Sequence, residues 1–589
     1  MTALLGVERS FTGRRWRARL EDERIARAIA QAHDLPDAVA RVLAARGVAV
    51  EDVPGFLAPT LRAMLPDPSS FKDMDRAAER LARAIRSGEQ VAAFGDYDVD
   101  GATSTALLSR FFAAVGGRLR PYIPDRIKEG YGPNLPALER LKDEGAKVVV
   151  TLDCGVGAHE ALAGAARLGL EVIVCDHHVA EPALPPALAV VNPNRLDETV
   201  PYRQLAAVGV AFLLLVAVNR SLRAAGHYAT RPEPDLMALL DLVALGTVAD
   251  VVPLTGLNRA LVARGLEVLA RRENVGLRAL AEVARLQESP GTYHLGYVLG
   301  PRVNAGGRVG EADLGARLLA TDDAEEAAGL ALRLERHNAE RRAIEAEVER
   351  AAIRAVEAAP PGGLALAAGE GWHPGVIGVV AGRLKERFDR PALVIALAGG
   401  IGKGSARSVP GVDIGAAVLA ARQAGLLVNG GGHPMAAGLT VESGRVAALG
   451  EFLSARLAAA LAGRDLTRGL GIDAVIAPGG ATTELLEMIE RAGPYGAGHA
   501  EPRFAVAEAR LVRADIVGER HVRCIAAGPD GGRLKAIAFR ALDSELGKAL
   551  LEARERPVHL AGALRADRFR GEQGVQLTID DAAPVTPRT

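Results

Sequence analysis

Three carboxylates follow one apolar run at intervals of two residues. The stretch QVAAFGDYDVDG combines an apolar, strand-like run with Asp96, Asp98 and Asp100. Carboxylates this close repel one another unless cations neutralise them or they take up protons. Asp100 alone would also suit the start of the helix predicted for the residues that follow. One acid would meet that need, so the group of three favours a metal site.

Three further groups of the same kind occur before residue 251. Asp153 follows KVVVTL, Asp176 precedes His177 and His178 after EVIVC, and Asp250 lies in ALGTVADVVPL. Carboxylates mixed with imidazoles suit Mn²⁺ or Mg²⁺, whereas structural zinc sites commonly use thiolates. Each position alone would also fit a loop-capping acid or a hydrogen-bonded histidine. The four groups together predict one shared site for divalent cations.

The elements that must position these groups alternate between strands and helices from about residue 90 to 250. The predicted strands are EQVAAFG, KVVVTLD, EVIVCD and LAVVNP, and the predicted helices include TSTALLSRFFAAVG and AHEALAGAARLG. Such alternation is typical of an open α/β sheet with nearly continuous apolar, parallel strands. Ligands of these sheets bind outside the carboxyl ends of the strands. We therefore expect all four groups to lie at strand ends.

The second half of the chain changes character twice. Residues 322–358 are charged, amphipathic and free of proline, which predicts one long helix ending at APPGG. A second α/β unit follows, with strands LALAAG and RPALVIAL and the helix PGVIGVVAGRLKERF. Short alternating stretches after about residue 466 predict a small β-barrel.

These patterns predict an α/β protein with two α/β domains joined by a long helix, plus a C-terminal β-barrel. The expected segments are an N-terminal helical and basic segment (1–85), a first α/β domain (86–321), a connecting helix (322–358), a second α/β domain (359–465) and the barrel (466–589). A chain of 589 residues is long enough for two to four domains.

Composition narrows the function classes. The net charge of −1 excludes a general polycation, so any nucleic-acid contact must use local basic patches. RRWRAR near the N-terminus is one candidate, although a solvated basic arm is the simpler interpretation. Apolar runs such as VGVAFLLLVAV are shorter than the roughly 18 residues of a membrane span, and no signal peptide is recognised. We expect a cytoplasmic protein with no membrane contact.

The three cysteines do not indicate a disulfide framework or a zinc site. Cys154, Cys175 and Cys524 lack paired spacing. The first two adjoin acids at predicted strand ends, and we interpret them as small packing residues. No Ser-His-Asp or Cys-His constellation is recognised.

The motifs resemble a known superfamily. GDYDVDG, LDCG, CDHH and TVADVVPL are similar, in this order, to four motifs of the DHH phosphoesterase superfamily. RIKEGYGPN, GPRVNAGGR, GWHPGVIGVVAGRLKERFDRP and NGGGHPMAAG resemble the RecJ family of bacterial single-strand-specific 5′→3′ DNA exonucleases. The resemblance covers the chain from about residue 45 nearly to its end. It implies a DHH domain, a DHHA1 domain and an oligonucleotide-binding (OB) barrel.

The resemblance also implies the ligands of two divalent ions, Mn²⁺ or Mg²⁺. These ligands are Asp98, Asp100, Asp153, His177 and Asp250, with Asp153 bridging the pair.

One position departs from relatives in the superfamily. Pyrophosphatase-like and cyclic-dinucleotide-cleaving relatives have a histidine four residues before the first ligand, where this chain has Phe94. We expect Asp96 to bind the first metal in its place. His178 is expected near the scissile phosphate, as a donor or as a residue that supports the metal ligands, and Asp176 is expected to orient the imidazoles.

A further set of residues is expected on the substrate. Glycines in NGGGHPMAAG would let backbone N–H groups approach a phosphate, although a Gly-rich turn between helix and strand is equally compatible. GKGSARS offers Lys403 and other phosphate-binding side chains, but it lacks the order of a P-loop. The expected substrate-binding residues are Lys128, Tyr131, Arg302, Asn304, Arg308, Ser405, Arg407, Ser408, Gly431, Gly432 and His433.

The resemblance implies a monomeric two-metal exonuclease that degrades single-stranded DNA from its 5′ end to mononucleotides, in repair and recombination. A single-strand-binding protein and a helicase are candidate partners. The alternative with the same chemistry is a short-oligonucleotide or cyclic-dinucleotide phosphodiesterase. A non-catalytic single-strand-binding scaffold is the alternative from another class.

Overall fold

The structure is a computed structural model of the chain. It describes residues 3–126, 128–360, 362–462, 467–529, 531–553, 556–567 and 574–585. Within these ranges the strands form four sheets, one of two strands, two of five strands and one of six. The predicted boundary between residues 465 and 466 lies outside the described residues.

The N-terminal segment packs on the C-terminal barrel. Its elements are β1 (Arg15–Ala18), α1 (Arg24–His33), α2 (Asp37–Ala44), α3 (Val53–Leu57) and α4 (Leu61–Met64). β1 pairs in parallel with residues Gly469–Ile472, and Trp16 is buried and donates its indole N–H to Asp581 at 2.9 Å. Ile29 and Leu43 contribute to the core of the barrel. RRWRAR is therefore part of a packed strand, which corrects the interpretation as a solvated arm.

A fully parallel sheet forms the first α/β domain. Its strands are β2 (Gln90–Gly95), β3 (Arg118–Tyr122), β4 (Ala146–Leu152), β5 (Glu171–Cys175) and β6 (Ala189–Val191). They lie in the order β3-β2-β4-β5-β6. The four predicted strands are confirmed. The strand β3 was not predicted, because it is an edge strand in which arginines alternate with apolar residues.

Helices cover this sheet. They are α5 (Met74–Ser87), α6 (Val99–Val115), α7 (Leu135–Asp143), α8 (His159–Arg167) and α9 (Ala207–Ala224). By length and composition alone, α9 could cross a membrane, which corrects the expectation that the apolar run is too short. Most of α9 is buried, however, and Val208, Phe212 and Leu215 belong to the domain core. It is therefore a core helix of this domain.

Further helices extend the domain toward the second half of the chain. They are α10 (Leu240–Ala249), α11 (Gly256–Ala270), α12 (Val275–Val283), α13 (Gly300–Val309), α14 (Leu314–Ala320) and α15 (Ala324–Ala358). Asp250 follows the helix α10, so the expectation that it follows a strand is wrong. The predicted long helix is confirmed as α15, which Asp323 caps by accepting from the amides of Glu325 and Glu326.

The second α/β domain contains a mixed sheet. Its elements are β7 (Ala365–Glu370), α16 (Ile377–Phe388), β8 (Ala392–Ala398), β9 (Ile401–Arg407), α17 (Ile414–Gln423), β10 (Asn429–His433), β11 (Ala436–Glu442) and α18 (Val446–Leu461). The order is β10-β11-β9-β8-β7, and only β7 and β8 are parallel among these described strands. NGGGH is itself the strand β10 of a hairpin, so the alternative of a turn between helix and strand is wrong.

The C-terminal part closes into a barrel. Its elements are β12 (Gly469–Ile472), β13 (Ala474–Val475), α19 (Thr483–Arg491), β14 (Phe504–Val517), β15 (His521–Ala527), β16 (Arg533–Ala538), α20 (Glu545–Glu552), β17 (Val558–Asp567) and β18 (Gly574–Pro584). The sheet runs β13-β14-β15-β16-β18-β17, and the additional pairing of β14 with β17 closes it. The predicted small barrel is confirmed. Its closed ring consists of the five strands β14, β15, β16, β18 and β17.

Candidate metal centre and active site

Three aspartates extend three neighbouring strands by one residue. The amide of Asp96 donates to Leu152 O at 3.0 Å, and the amide of Asp153 donates to Cys175 O at 3.1 Å. Asp176 continues β5 in the same way. Because β2, β4 and β5 are adjacent and parallel, their carboxyl ends bring these acids to one edge of the sheet.

Two helices bring further acids to the same edge. Asp98 is the N-cap of α6 and accepts from the amide of Gly101 at 3.1 Å. Asp100 lies two residues further, in the first turn of α6, and accepts from Ala207 N and Val208 N at the start of α9, at 2.7 and 2.8 Å. The capping role considered for Asp100 thus belongs to Asp98. Asp100 instead links the starts of two helices.

His177 faces a converging set of carboxylates. Its Nδ1 lies 3.1 Å from Leu205 O, an acceptor only, so Nδ1 carries the proton. Burial and the neighbouring His178 lower the pKa of His177, which keeps the ring neutral. The bare Nε2 then lies 3.2 Å from Asp153 Oδ1 and 3.6 Å from Asp250 Oδ2. A lone pair aimed at carboxylate oxygens is repulsive unless a cation or a proton lies among them.

The acids and histidines form three groups in which the possible ligand atoms lie close together. Ligand atoms of Asp96, Asp98 and Asp153 lie within 4.8 Å of one another, as do those of Asp100, His177 and Asp250. A third group joins Asp153 to both histidines. Asp153 belongs to two of the three groups, and its Oδ1 lies 3.2 Å from Nε2 of His177 in the remaining one, so Asp153 lies where a bridging ligand is expected.

Burial makes these carboxylates difficult to ionise together. Burial and the charge of Asp98 raise the pKa of Asp96 and of Asp250 to about 7. Burial, followed by neighbouring acids, raises the pKa of Asp100 and Asp153 well above the usual range. Each of these four carboxylates must take up a proton or bind a cation.

Unpaired oxygens identify where cations fit. Oδ1 of Asp96, Oδ1 of Asp153 and Oδ2 of Asp250 are buried without a hydrogen-bond partner among the described residues. Buried polar atoms are normally satisfied. Carboxylate oxygens with one imidazole nitrogen form a donor set that suits Mn²⁺ or Mg²⁺. The residues present therefore fit divalent cations.

Phe94 occupies the place of a histidine in some relatives of the superfamily. It is fully buried and packs on the ring of Tyr122, with centroids 5.2 Å apart. It offers no ligand, whereas Asp96 offers a buried, unpartnered oxygen two residues later. That Asp96 binds the first metal in place of a histidine stays a prediction.

Asp176 organises the loop that carries both histidines. Its Oδ1 accepts from the amides of His177 and His178 and from Nδ1 of His178, and its Oδ2 accepts from Val156 N. The ring of His177 is instead oriented by Leu205 O, which corrects the expectation that Asp176 orients both imidazoles.

The two members of the Asp176–His178 pair stabilise each other's charge. Burial opposes a charged His178, but the hydrogen bond and charge of Asp176 raise the pKa of His178 above its usual value. Burial would likewise raise the pKa of Asp176, but the hydrogen bond and charge of His178 lower it. His178 is half exposed, so its ring is accessible to a ligand, and Asp176 favours the protonated form of that ring.

Backbone anchors of this loop were missed by the sequence analysis. Asn192 Nδ2 donates to His178 O at 2.9 Å, and Asn194 Nδ2 donates to His177 O at 2.6 Å. Both asparagines follow β6 in LAVVNPN. A polar pair directly after a buried strand was the available signal.

Two expected substrate-binding residues lie on the loop after β3. Tyr131 donates its hydroxyl to Asp153 O at 3.1 Å, and its ring lies edge-on to His178 with centroids 6.0 Å apart. Lys128 is largely exposed, and its Nζ lies 3.5 Å from Asp125. The structure therefore places Tyr131 at the metal centre and leaves Lys128 at the surface nearby.

Arg302 and Asn304 lie on α13. The guanidinium of Arg302 donates to Glu335 on α15 and to Val298 O, so it fastens α13 to the long helix. Asn304 is partly exposed on the same helix. The structure does not bring Arg302 into the carboxylate groups.

Arg308 connects the two α/β domains. Its Nη1 donates to Gly375 O at 2.9 Å, and burial lowers its pKa to about 10, so it stays charged at neutral pH. Nearby, a Cβ on Gly307 would meet Tyr97 O at 2.6 Å, and Arg126 lies over the Tyr97 ring at 5.0 Å. Tyr97 and Arg126 are additional residues beside the acids that sequence reasoning did not single out.

The remaining expected residues lie on the mixed sheet. Arg407 donates to Ser405 Oγ at 3.2 Å, and burial lowers its pKa. Ser408 is fully buried and donates its hydroxyl to Val412 O at 2.6 Å, which closes a turn. Ser405 and Arg407 thus form one polar pair, and Ser408 is part of the packing below it.

The glycine-rich strand β10 is exposed. Gly431, Gly432 and His433 all face solvent, and the space around Gly431 is open. A Cβ on Gly432 would approach Ala437 of β11 to 2.5–2.6 Å, so this glycine allows the hairpin to close.

The cysteines do not contribute a nucleophile. Cys154, Cys175 and Cys524 are free and buried, and burial raises the pKa of each thiol. They are packing residues, as the sequence analysis interprets them.

Three segments of the chain match the sequence models of known families. The sequence matches the DHH family, N-terminal domain, over residues 90–247, the DHHA1 domain over residues 361–459, and the RecJ OB domain over residues 472–581. These matches coincide with the parallel sheet, the mixed sheet and the barrel.

Relatives share the whole arrangement. The single-stranded-DNA-specific exonuclease RecJ of Dickeya dadantii is 38% identical over 94% of this chain and 96% of the relative, and that of Escherichia coli is 37% identical over the same shares. The crystal structure of RecJ with Mn²⁺ from Thermus thermophilus superposes with a TM-score of 0.79 at 31% identity, covering 97% of this chain and 79% of that one. A structure of exonuclease RecJ bound to manganese gives a TM-score of 0.58 at 36% identity, covering 68% and 98%. The chain belongs to the RecJ family.

Proposed function

We propose that the chain is a single-stranded-DNA-specific exonuclease that uses two divalent cations, starts at the 5′ end and releases mononucleotides. The observation that carries metal-dependent hydrolysis is the bare Nε2 of His177 among the carboxylates of Asp153 and Asp250. Family membership supports the substrate class, because the relatives described above are single-stranded-DNA-specific exonucleases.

Six residues are proposed as ligands of the two metal ions. When bound, two Mn²⁺ or Mg²⁺ ions lower the pKa of a water and neutralise the phosphoryl oxygens. The chain holds them with side chains fixed by strand ends and helix starts, so little reorganisation is needed when substrate arrives. The proposed ligands are Asp96, Asp98, Asp100, Asp153, His177 and Asp250.

His178 is the proposed donor to the scissile phosphate. Asp176 accepts its Nδ1–H at 2.8 Å and favours the protonated ring. A half-exposed imidazolium beside the acids can donate to a phosphoryl oxygen as negative charge develops there. Tyr131 braces the same side through Asp153 O.

Phosphates of the strand are proposed to bind between the parallel and mixed sheets. Arg308 links the domains through Gly375 O, and Arg407 with Ser405 offers a guanidinium and a hydroxyl in one place. Gly431, Gly432 and His433 would supply backbone and imidazole donors. Lys128, Arg302, Asn304 and Ser408 complete the expected set, although Arg302 and Ser408 already have partners within the protein. A groove here that admits one strand would exclude duplex DNA.

The proposed cellular role, location and partners rest on the family resemblance. We propose action in DNA repair and recombination in the cytoplasm, as a monomer, with a single-strand-binding protein and a helicase as partners. The OB barrel supports contact with a long polymer, which favours this function over a dinucleotide phosphodiesterase.

End-labelled DNA tests the proposal. With Mn²⁺, a 3′-labelled single strand should shorten progressively, and a 5′-labelled one should release labelled mononucleotide at once. Blunt duplex should persist, and a chelator should stop the reaction. Release of label from the 3′ end first would contradict the polarity, and equal rates on duplex would contradict the narrow groove. Faster turnover of dinucleotides than of long strands would favour the phosphodiesterase alternative.

A further inference from the structure

Two tyrosines outside the groups described so far present their rings to solvent. Tyr293 and Tyr297 are 65% and 74% exposed. Their rings stack, with centroids 5.3 Å apart and planes inclined by 25°. Large apolar faces this exposed are candidates for contact with a ligand, since burial would stabilise them.

The backbone holds this pair beside α10. Residues His294–Leu299 form a turn of π-helix that runs directly into α13. Such turns are rare and are frequent at functional sites. Leu295 and Leu299 are buried in the domain core, and a Cβ on Gly296 would lie 3.5 Å from Val248 of α10. The turn therefore packs its apolar side on the helix that ends at Asp250.

A cleft of about 910 Å³ connects the tyrosines to the barrel domain. One wall contains Val251, and the other contains Tyr495 and Leu564. Thr292 Oγ1 donates to Tyr495 O at 2.7 Å, which fixes the two walls relative to each other. The volume is in the usual range of roughly 300–1,000 Å³ for organic ligands.

The cleft begins next to the proposed metal ligand Asp250. Val251 is 70% exposed and has a φ of +62°, which is an outlier for a β-branched residue. Such strained backbone clusters at functional sites. The cleft thus runs from the end of α10 toward the barrel.

The cleft is lined by equal numbers of acidic and basic side chains. Glu490, Glu501, Arg491 and Arg565 line it, and Arg565 pairs with Glu501 at 2.5 Å. This balance does not favour a run of phosphates. It suits the neutral faces of bases, which stack on aromatic rings whatever the sequence.

We propose that Tyr293 and Tyr297 are a stacking platform for bases of the single strand between the barrel and the metal centre. This inference rests on the proposed function and adds a site for nucleobases to it. Single-stranded nucleic acid is the occupant because the cleft is lined by Ala249 and Val251, the two neighbours of Asp250, and by Leu564 and Arg565 of the OB barrel.

Binding measured in the full chain with a chelator present tests the platform without hydrolysis. The ligand is a fluorescent oligothymidylate longer than about 16 nucleotides, compared with an oligomer of the same length that lacks bases. The double variant Tyr293→Ala/Tyr297→Ala should bind oligothymidylate about 5- to 100-fold more weakly than the unsubstituted chain. Affinity for the abasic oligomer should be unchanged.

Two control variants sharpen the comparison. Tyr293→Phe/Tyr297→Phe keeps the rings and should bind like the unsubstituted chain. Leu419→Ala removes another exposed apolar side chain, from α17, and should have no effect. Photocrosslinking of strands containing 5-iodouracil should map to one or both tyrosines.

The outcomes separate the platform from the proposed function. Equal affinity of the double alanine variant and the unsubstituted chain for oligothymidylate would overturn the platform, as would equal losses with the abasic oligomer. The cleft would then be a candidate surface for a protein partner. If the unsubstituted chain with Mn²⁺ fails to degrade single strands, the proposed exonuclease function fails, whatever the tyrosines bind.

Discussion

The two five-stranded sheets of the molecule carry their polar residues in different ways. In the parallel sheet, Asp96, Asp153 and Asp176 follow neighbouring strands and meet at one buried edge. In the mixed sheet, Ser405 and Arg407 lie within β9, two residues apart and therefore on one face. Parallel topology concentrates charge, whereas antiparallel strands spread polar groups over a surface.

The electrostatic consequences also differ. Burial and mutual repulsion raise the pKa values of the clustered aspartates, so this edge takes up protons or binds cations. Arg407 has a pKa lowered by burial and no clustered like charges, which suits a preformed site for an anion. We therefore expect substitutions at the parallel sheet to reduce turnover and those at the mixed sheet to reduce affinity.

The largest effect is expected at Asp153. Asp153→Ala removes the residue that joins the ligand groups, and kcat on single-stranded DNA should fall by more than about a hundredfold, since losing residues that only orient ligands costs about 10- to 100-fold. DNA binding should persist. Glu160→Ala, an exposed acid on α8, is the matched control and should keep full activity. Undiminished cleavage by Asp153→Ala would refute its assignment as a ligand.

A smaller loss is expected at Asp176. Asp176→Asn should reduce kcat about 10- to 100-fold, because it replaces the charged acceptor that orients His178 with a neutral, weaker one. Asp176 also raises the pKa of His178, so the variant should lose activity at a lower pH than the unsubstituted enzyme. The pH profile of kcat measures this shift. A uniform loss at every pH would argue against His178 as a protonated donor.

Substitutions in the mixed sheet should change the affinity of the enzyme for single-stranded DNA. Arg407→Ala should raise KM for single-stranded DNA about tenfold, because it removes a charged hydrogen-bond donor, while kcat changes little. Arg354→Ala, an exposed arginine on α15, serves as the control. A fall in kcat without a change in KM would place Arg407 in the chemistry and would break the contrast between the sheets.

The sequence predicted the parallel sheet and its acids well for a physical reason. A strand buried on both faces is nearly continuously apolar, so the polar residue that follows it is conspicuous, as at Asp96, Asp153 and Asp176. Asp250 was selected by the same pattern, yet the apolar run before it is the buried helix α10. Short apolar runs do not separate the two kinds of element.

The parts that escaped prediction depend on tertiary contacts. Nothing local shows that Leu205 O orients His177 or that two amides of α9 bind Asp100. NGGGH lacks side chains that would mark a strand, and only its pairing with β11 makes it one. The stacked Tyr293 and Tyr297 are separated by four residues on a helical turn, which in sequence is equally typical of a core face.

The smallest effect concerns the stability of the metal-free protein. Asp96 and Asp250 have folded pKa values of about 7, against roughly 3.9 when unfolded, so their protonation stabilises the fold below about pH 4 and this contribution is lost as the pH rises through 7. With a chelator, Tm should fall by about a few degrees between pH 5 and pH 8. Mn²⁺ should raise Tm more at pH 8. The variant Asp96→Asn/Asp250→Asn should show a flatter dependence, and an equally steep one would contradict the assignment.

The central claim is that the carboxyl edge of the parallel sheet binds a pair of divalent cations that share Asp153. Anomalous diffraction from crystals of the chain grown with Mn²⁺ tests it most directly. The account predicts two manganese peaks at this edge, both bound by Asp153, with His177 Nε2 on one of them. A single peak that Asp153 does not touch, or the absence of manganese from this edge, would contradict it.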